Sequence, residues 1–145
     1  MAIAYRCDTA TGVGVEVWDG DITVDQARQH VQTLAADPHW SASRRLVTDL
    51  TGISAESRPT AEAIAQLADV FLQQLAYRVG DVKWSVIADH TFDEALGFGG
   101  RIRHEVRRMI VFNNLASACV WLGLDHNEVR PAIDELRRQL RNESR

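Results

Sequence analysis

Cysteines and long apolar runs are scarce in this chain of 145 residues. The two cysteines, Cys7 and Cys119, fall within apolar segments, which favours buried free thiols over a disulfide framework or a metal site. No apolar run approaches the roughly 20 residues of a membrane-spanning helix. The first six residues combine neither a basic start nor a long apolar segment, so we expect no signal peptide and a cytoplasmic location.

Basic residues are also in the minority, which disfavours nucleic-acid binding. The net charge is −4 and the pI is about 5.7, far from the basic footprint of a nucleic-acid-binding domain. Residues 101–145 are the exception, with nine arginines against six acids. We interpret this basic end as a solvated helix face, although it would also suit an acidic partner or a membrane surface.

Apolar periodicity predicts alternating strands and helices along the chain. Period-two alternation predicts a hairpin that ends near residue 17. Thr23 with Gln26, and Thr91 with Glu94, have the spacing of helix-capping boxes. The predicted helices cover residues 24–37, begin near residue 59, and cover residues 92–106 and 115–122. The predicted strands between them cover residues 45–50, 82–88 and 108–112.

A last apolar stripe predicts an added amphipathic helix at the C-terminus, with Val129, Ile133, Leu136 and Leu140 spaced by 4, 3 and 4 residues. Because proline is well tolerated only in the first turn of a helix, Pro131 predicts that this helix begins close to Val129. An isolated helix of this length is marginal in water, so the stripe must pack on its own domain or on a second copy. We favour a homodimer through this helix.

The order ββαβαβαβα, followed by one more helix, predicts an α/β fold with a mixed sheet flanked by helices. No internal repeat or second domain is visible. We therefore expect one domain over residues 1–124, extended by the C-terminal amphipathic helix over residues 125–145.

Three segments carry a family resemblance: residues 20–23 with 34–40, residues 46–53, and residues 116–123. Their order and spacing resemble the SpoIIAA-like branch of the STAS superfamily (sulphate-transporter and anti-sigma-factor-antagonist domains) over about residues 3–123. The resemblance implies a STAS-like fold and a non-enzymatic regulatory or protein-interaction module of the bacterial cytoplasm. The alternative that it implies is a carrier or sensor of an apolar or amphiphilic ligand or lipid, because this group is also compared with the lipid-binding SEC14 fold and a membrane role has been suggested.

The same resemblance points to a phosphorylation site after the central strand. Anti-sigma-factor antagonists carry a phosphorylatable serine in an Asp-Ser-Ser turn there. Residues 54–59 correspond to that turn, so Ser57 and Ser54 are the candidate sites. Arg58 stands where the pattern has its second serine, so the match is approximate.

Polar residues follow the carboxyl ends of the predicted parallel strands, where open α/β sheets keep their sites. Asp49 and Thr51 follow one strand, with Ser54 and Ser57 beyond them, and Asp89 and His90 follow the next strand. These residues form our candidate ligand or partner surface. The alternative is that residues of these types serve as helix caps and turn acceptors.

Catalytic and metal motifs are weak in this sequence. Asp89, His90 and a serine combine into a triad only on paper, because no Gly-x-Ser-x-Gly elbow exposes a nucleophile. The five histidines are scattered without zinc-ligand spacing. We therefore predict no enzyme activity, no metal and no cofactor.

The segment Gly97-Phe98-Gly99-Gly100-Arg101 is the most unusual local sequence. Three glycines within a helix cost about 1 kcal/mol each relative to alanine. We favour close packing of Gly99 against the sheet as their cause. The alternative is a mobile segment that opens a pocket for an amphiphilic ligand, with Phe98 off the core face and Arg101 beside it. A closed core would favour the interaction module, and an apolar pocket beneath this segment would favour the carrier.

Overall fold

The computed structural model describes residues 2–75 and 81–143, in which five strands form one mixed sheet. The strands lie in sequence order, the first pair is antiparallel, and the other pairs are parallel. This confirms the predicted α/β class, the opening hairpin and the mixed sheet. The strands are β1 (Ile3–Asp8), β2 (Val13–Gly20), β3 (Arg45–Ile53), β4 (Lys83–Ile87) and β5 (Met109–Phe112).

Helices cover both faces of this sheet. Each parallel connection crosses over the same face, so α1, α3 and α4 form one layer, and α5 and α6 cover the other face. None of the helices within the described residues is both long enough and apolar enough to cross a membrane. The helices are α1 (Val24–Ala36), α2 (Pro38–Ser41), α3 (Ala61–Gln74), α4 (Phe92–Ile102), α5 (Leu115–Leu122) and α6 (His126–Glu143), with a 3-10 turn at Ala55–Ser57.

One of the two predicted capping boxes is present and the other is not. The Thr23–Gln26 capping box is present, with Thr23 Oγ1 accepting from the Gln26 backbone N–H at 3.1 Å. The Thr91–Glu94 box was wrong, since the Thr91 hydroxyl makes no cap hydrogen bond. Helix α4 also ends at Ile102, four residues before the predicted end, because the chain leaves the helix in a turn that still buries Val106.

Helix α6 begins at His126, three residues before the predicted start, and keeps Pro131 inside it. The Asp125 carboxylate accepts the Asn127 backbone N–H at 2.9 Å, which supplies a cap upstream of the proline. Burial of the apolar stripe offsets the missing proline hydrogen bond, because the stripe packs on Val15 and Val17 of β2.

The stripe of α6 is therefore covered by its own sheet. Ile133 is 0% exposed and its three companions are at most 6% exposed within a single chain. The argument for a homodimer through these four residues is thereby removed, because they are not available to a second copy.

Truncation of the Ile133 side chain tests how much the packing of α6 on the sheet contributes to stability. We expect Ile133→Ala to lower the free energy of unfolding by about 2–5 kcal/mol, since it leaves a cavity at a fully buried site. Val120 in α5 is 82% exposed, so Val120→Ala should stay within about 0.5 kcal/mol of the parent. Urea denaturation measures both variants, and equal losses would contradict this role of α6.

Candidate functional site

A cavity of about 480 Å³ lies between the sheet and the layer formed by α1, α3 and α4. Its inner end is bounded by Leu46, Trp84 and Met109, close to the amino ends of their strands. Its other end reaches the surface along residues 56–60, which follow the carboxyl end of β3 and are exposed except for the half-buried Ser57. Ordinary interior voids rarely exceed a water molecule, whereas ligand pockets occupy about 300–1,000 Å³. This cavity therefore has the dimensions of a ligand pocket.

The walls of the cavity are mostly apolar and aromatic. Phe71 stacks on Trp84 with ring centroids 5.4 Å apart, and Phe98 meets Phe71 edge-on at 5.6 Å. Such a surface favours apolar ligands through burial rather than through directional bonds. The other apolar wall residues include Val31 and Leu34 of α1, Ile64 and Leu67 of α3, Ala95 of α4, and Val86 of β4.

The glycine segment meets the cavity through Phe98, the one residue of the segment that lines it. Phe98 faces the core, so its predicted position off the core face was wrong. Close packing of Gly99 was also wrong, because a Cβ there would lie 3.5 Å from Met109, an ordinary contact. A Cβ at Gly97 or Gly100 would meet nothing within 4 Å. Packing therefore requires none of the three glycines, and the apolar cavity lies on the Ala95 and Phe98 side of their helix.

A chain of buried polar groups crosses the sheet side of the cavity. Trp84 Nε1 donates to Thr48 Oγ1 at 2.9 Å, and Thr48 Oγ1 donates to Glu16 Oε1 at 2.8 Å. The other carboxylate oxygen of Glu16 is hydrogen-bonded to Nε2 of His30, which α1 places directly above β2. All four residues are buried, so they form a satisfied polar network in an apolar setting.

The charge of Glu16 is stabilised by this network. Burial alone would raise the pKa of the Glu16 carboxyl group. Attraction to His30 and the hydrogen bonds from His30 and Thr48 together outweigh burial, and the pKa is lowered from its ordinary value. The network thus holds a carboxylate within an apolar wall.

The cavity mouth is bordered by an arginine that links two elements. Arg58, just after the 3-10 turn, forms an ion pair with Glu94 Oε1 at 3.3 Å and donates from Nε to the His90 carbonyl at 3.1 Å. These contacts join the end of β3 to the start of α4. Arg58 and Glu94 both line the cavity.

Two oxygens beside this ion pair are buried without a hydrogen-bond partner among the described residues. They are Thr91 Oγ1 and Glu94 Oε2, and both residues line the cavity. An unsatisfied buried polar atom costs about 1–3 kcal/mol. Both atoms are therefore enclosed polar groups whose hydrogen-bonding capacity is unused within the described residues.

Asp49 and Thr51 from the predicted surface do not reach the cavity. Asp49 Oδ1 accepts from the Thr51 backbone N–H at 2.8 Å, which supports the alternative that it is a turn acceptor. Its Oδ2 pairs with Arg137 of α6 at 3.0 Å, on the opposite face of the sheet. These two residues fasten α6 and form no surface together with the cavity.

The two serines have different positions. Ser54 caps the 3-10 turn and donates to Glu56 Oε2 at 2.6 Å. Ser57 lines the cavity mouth and donates to Asp21 Oδ1 at 3.1 Å. Phosphorylation of either serine stays a prediction.

The remaining predicted residues lie outside the cavity, except Phe98. His90 Nδ1 lies 2.7 Å from the carboxylate of the adjacent Asp89, and Arg101 is exposed on α4. Within the described ranges, no three histidine, cysteine or acidic side chains converge as metal ligands would. The predicted surface is thus divided, and the cavity receives Ser57 and Phe98 from it.

Sequence reasoning missed the polar residues of the cavity, among them Glu16, Thr48 and His30. One signal was available, because Glu16 interrupts the apolar run Val13–Val17 at a central strand position. A carboxylate inside a buried strand requires a partner, and a histidine on the apolar stripe of the next helix is a suitable one.

A comparison of the chain with protein-family models gave no match, and neither did a comparison with curated proteins. The resemblance to SpoIIAA-like domains therefore stays a prediction.

Replacement of Glu16 tests the buried network through its pH dependence. We expect Glu16→Gln to lower the free energy of unfolding by roughly 1–3 kcal/mol near neutral pH, because it weakens the buried hydrogen bonds that the carboxylate makes with Thr48 and His30. Since the folded-state pKa of Glu16 is lowered, its contribution is full above the ordinary value of about 4.3 and is lost as pH falls through the lowered value.

Urea denaturation at about pH 7 and at successively lower pH measures this contribution. The gap between parent and Glu16→Gln should narrow below about pH 4. Glu62→Gln, at an exposed position in α3, is the matched control and should show no comparable loss. A gap that stays constant with pH would contradict the charged network.

Replacement of Gly97 tests whether α4 is intrinsically weak. Because the added Cβ meets nothing, Gly97→Ala should raise the free energy of unfolding by about 0.5–1 kcal/mol. Gly123 has φ +71°, so Gly123→Ala should destabilise the protein instead. Thermal denaturation distinguishes the two signs, and destabilisation by Gly97→Ala would indicate a packing role for this glycine.

Proposed function

We propose that this protein binds an apolar or amphiphilic small molecule in the cavity and acts as its carrier or sensor. The observation that carries the proposal is the open, largely apolar cavity of about 480 Å³ beneath α4. A protein-interaction module was expected to have a closed core. The cavity instead matches the alternative that the resemblance implied, and we place that alternative first.

Burial energetics support a ligand of this chemistry. Apolar surface removed from water stabilises a complex by about 25 cal/mol per Å² before the costs of association. The aromatic wall formed by Phe71, Trp84 and Phe98 provides such surface on one side of the cavity. Ligand binding to the folded state alone also raises stability, by about 2.7 kcal/mol when the ligand is at 100 times its Kd.

The arrangement of polar groups supports binding rather than acyl-transfer chemistry. Ser57, the serine at the mouth, donates to Asp21 and is not hydrogen-bonded to a histidine. His30 Nε2 is occupied by the buried Glu16 carboxylate. A nucleophile paired with a general base is therefore not assembled at these residues.

A blocking substitution tests the proposal with the apolar fluorophore 1-N-phenylnaphthylamine. The parent protein should bind it with enhanced fluorescence, because the probe enters an apolar cavity. Ala63 lines the cavity near its mouth, so Ala63→Phe should weaken binding at least about tenfold. Ala61, two residues earlier in α3, is exposed and does not line the cavity, so Ala61→Phe is the matched control.

Native mass spectrometry of freshly purified parent protein provides the second measurement. Retained mass of lipid size would identify the natural ligand directly. Failure of the fluorophore to bind, or equal binding by the Ala63→Phe and Ala61→Phe variants, would overturn the assignment to this cavity.

A further inference from the structure

Among the described residues, the sheet ends on one side at β5, and this edge strand is apolar throughout. Its four residues, Met109–Phe112, include no charge and no proline, and Ile110 is 40% exposed. The opposite edge strand, β1, carries Arg6, which forms an ion pair with Glu135 of α6 at 2.9 Å. Charged residues and prolines are common means by which proteins keep an edge strand from pairing with another chain. Of the two edges, β5 is therefore the one that is open to a further strand.

The backbone of β5 offers hydrogen-bonding groups on this open side. The Ala88 N–H donates to the Phe112 carbonyl at 2.9 Å, so Phe112 bonds toward β4. Because alternate residues of a parallel strand bond to the same neighbour, Met109 and Val111 direct their N–H and C=O groups away from β4. Within the described ranges, these outward groups have no hydrogen-bond partner. They can therefore pair with a strand of another molecule.

Helix α4 adds an exposed apolar side chain beside this edge. Its close helix neighbour among the described residues is α3, so the side of α4 away from α3 overhangs β5. A Cβ at Gly99 would lie 3.5 Å from the Met109 side chain, so the face of α4 that contains Gly99 approaches β5. Leu96 lies one turn earlier on that face and is 49% exposed. Leu96 and Ile110, two of the three large apolar side chains exposed in the described part of the chain, thus lie along one edge.

The two ends of this face of α4 carry opposite charges. Asp93 stands three residues before Leu96, and Arg103 stands seven residues after it. Both are exposed, and neither forms an ion pair with another described residue. Two helices that meet across a two-fold axis through this face run antiparallel, so Asp93 of each copy meets Arg103 of the other. The face is therefore self-complementary, as an isologous contact requires.

The size of a stable interface requires α4 as well as β5. Specific interfaces bury about 1,200–2,000 Å² in total. A strand of four residues is shorter than the usual strand of about five to six residues, so a pair of such strands buries little surface by itself. Contact between the two α4 helices enlarges this surface and covers one side of the paired strands with apolar side chains.

We propose that β5 and α4 form a homodimer interface with a second copy of this chain. The two β5 strands pair antiparallel about a two-fold axis at Ile110, which continues the sheet from one copy into the other. Met109 of each strand bonds to Val111 of the other, Ile110 packs on its own counterpart, and the α4 helices meet through Leu96. This inference goes beyond the proposed function and does not depend on what the cavity binds.

Sedimentation velocity of the full chain tests this interface. The parent protein should sediment as a dimer in equilibrium with its monomer. Ile110→Lys places two like charges opposite each other and should raise the dissociation constant of the dimer at least about tenfold. Val120 of α5 is 82% exposed, so Val120→Lys is the matched control and should dimerise as the parent does. Circular dichroism checks that both variants fold, as their exposed positions predict.

Two outcomes of this measurement would overturn the proposal. One is a parent protein that sediments as a monomer at about 0.1 mM, a concentration at which even a weak dimer is populated. The other is equal dimerisation by Ile110→Lys and Val120→Lys, which would place the interface elsewhere on the molecule.

Cross-linking tests the register of the two strands. Opposed residues of a non-hydrogen-bonded antiparallel pair have Cα atoms about 4.5 Å apart, which is within the range of a disulfide. Ile110→Cys should therefore form an intermolecular disulfide on mild oxidation. The parent, whose two cysteines are Cys7 and Cys119, and the Val120→Cys variant should not. A dimeric Ile110→Cys variant that fails to cross-link would overturn the pairing of β5 about Ile110.

A charge swap tests the contact between the two α4 helices. Asp93→Arg should weaken the dimer, because it places like charges beside each other at both ends of the contact. The double variant Asp93→Arg, Arg103→Asp should restore dimerisation, since it exchanges the charges without changing their complementarity. If the double variant dimerises no better than Asp93→Arg alone, the assigned contact between the helices is wrong.

Discussion

The direction of the chain crossovers is the constraint on which the rest of this structure depends. Four parallel strands follow one another in sequence order, and their connecting helices all lie on one face of the sheet. That arrangement leaves the opposite face, with Val15, Val17 and Val47, without a cover from the crossovers. Helices α5 and α6 provide this cover. The C-terminal helix is therefore part of the domain's core, and the apolar stripe that suggested a dimer is needed for the sheet itself.

The face of the sheet that α1, α3 and α4 cover is held differently, because the Glu16 carboxylate is buried beneath these helices. Glu16 on β2 lies under α1 and is hydrogen-bonded to His30 of that helix, while Thr48 and Trp84 extend the network across two further strands. Removing one member of this network leaves its buried partners unpaired, at a cost of about 1–3 kcal/mol for each unsatisfied group. The network therefore fixes α1 over the sheet while the space between α1, α3 and α4 stays open.

Periodicity gave the strands and most of the helix boundaries, whereas the site depended on information that the sequence does not contain. Strand β3 is buried on both faces, so the apolar run through Leu46 and Val47 looks the same whichever face a residue occupies. Asp49 was predicted at a ligand surface, yet its side chain lies on the α6 face and pairs with Arg137, 88 residues later in the chain. Such a pairing depends on tertiary packing, and no local spacing indicates it. Phe98 was misplaced for a related reason, because glycine neighbours reveal a weak helix but not which side of it meets the core.

The polar groups around the cavity differ in whether they have hydrogen-bond partners. Along the sheet, every link from Trp84 to His30 has its partner, whereas the indole N–H groups of Trp18 and Trp40, which also belong to lining residues, have none among the described residues. At the mouth, Arg58 satisfies only one oxygen of Glu94, and the Thr91 hydroxyl has no partner among the described residues. Native proteins leave few buried polar atoms unpaired, and the exceptions call for a physical cause. These unpaired atoms are enclosed by the protein, so what the cavity offers a ligand is apolar surface in its interior rather than a directional bond to any one of them.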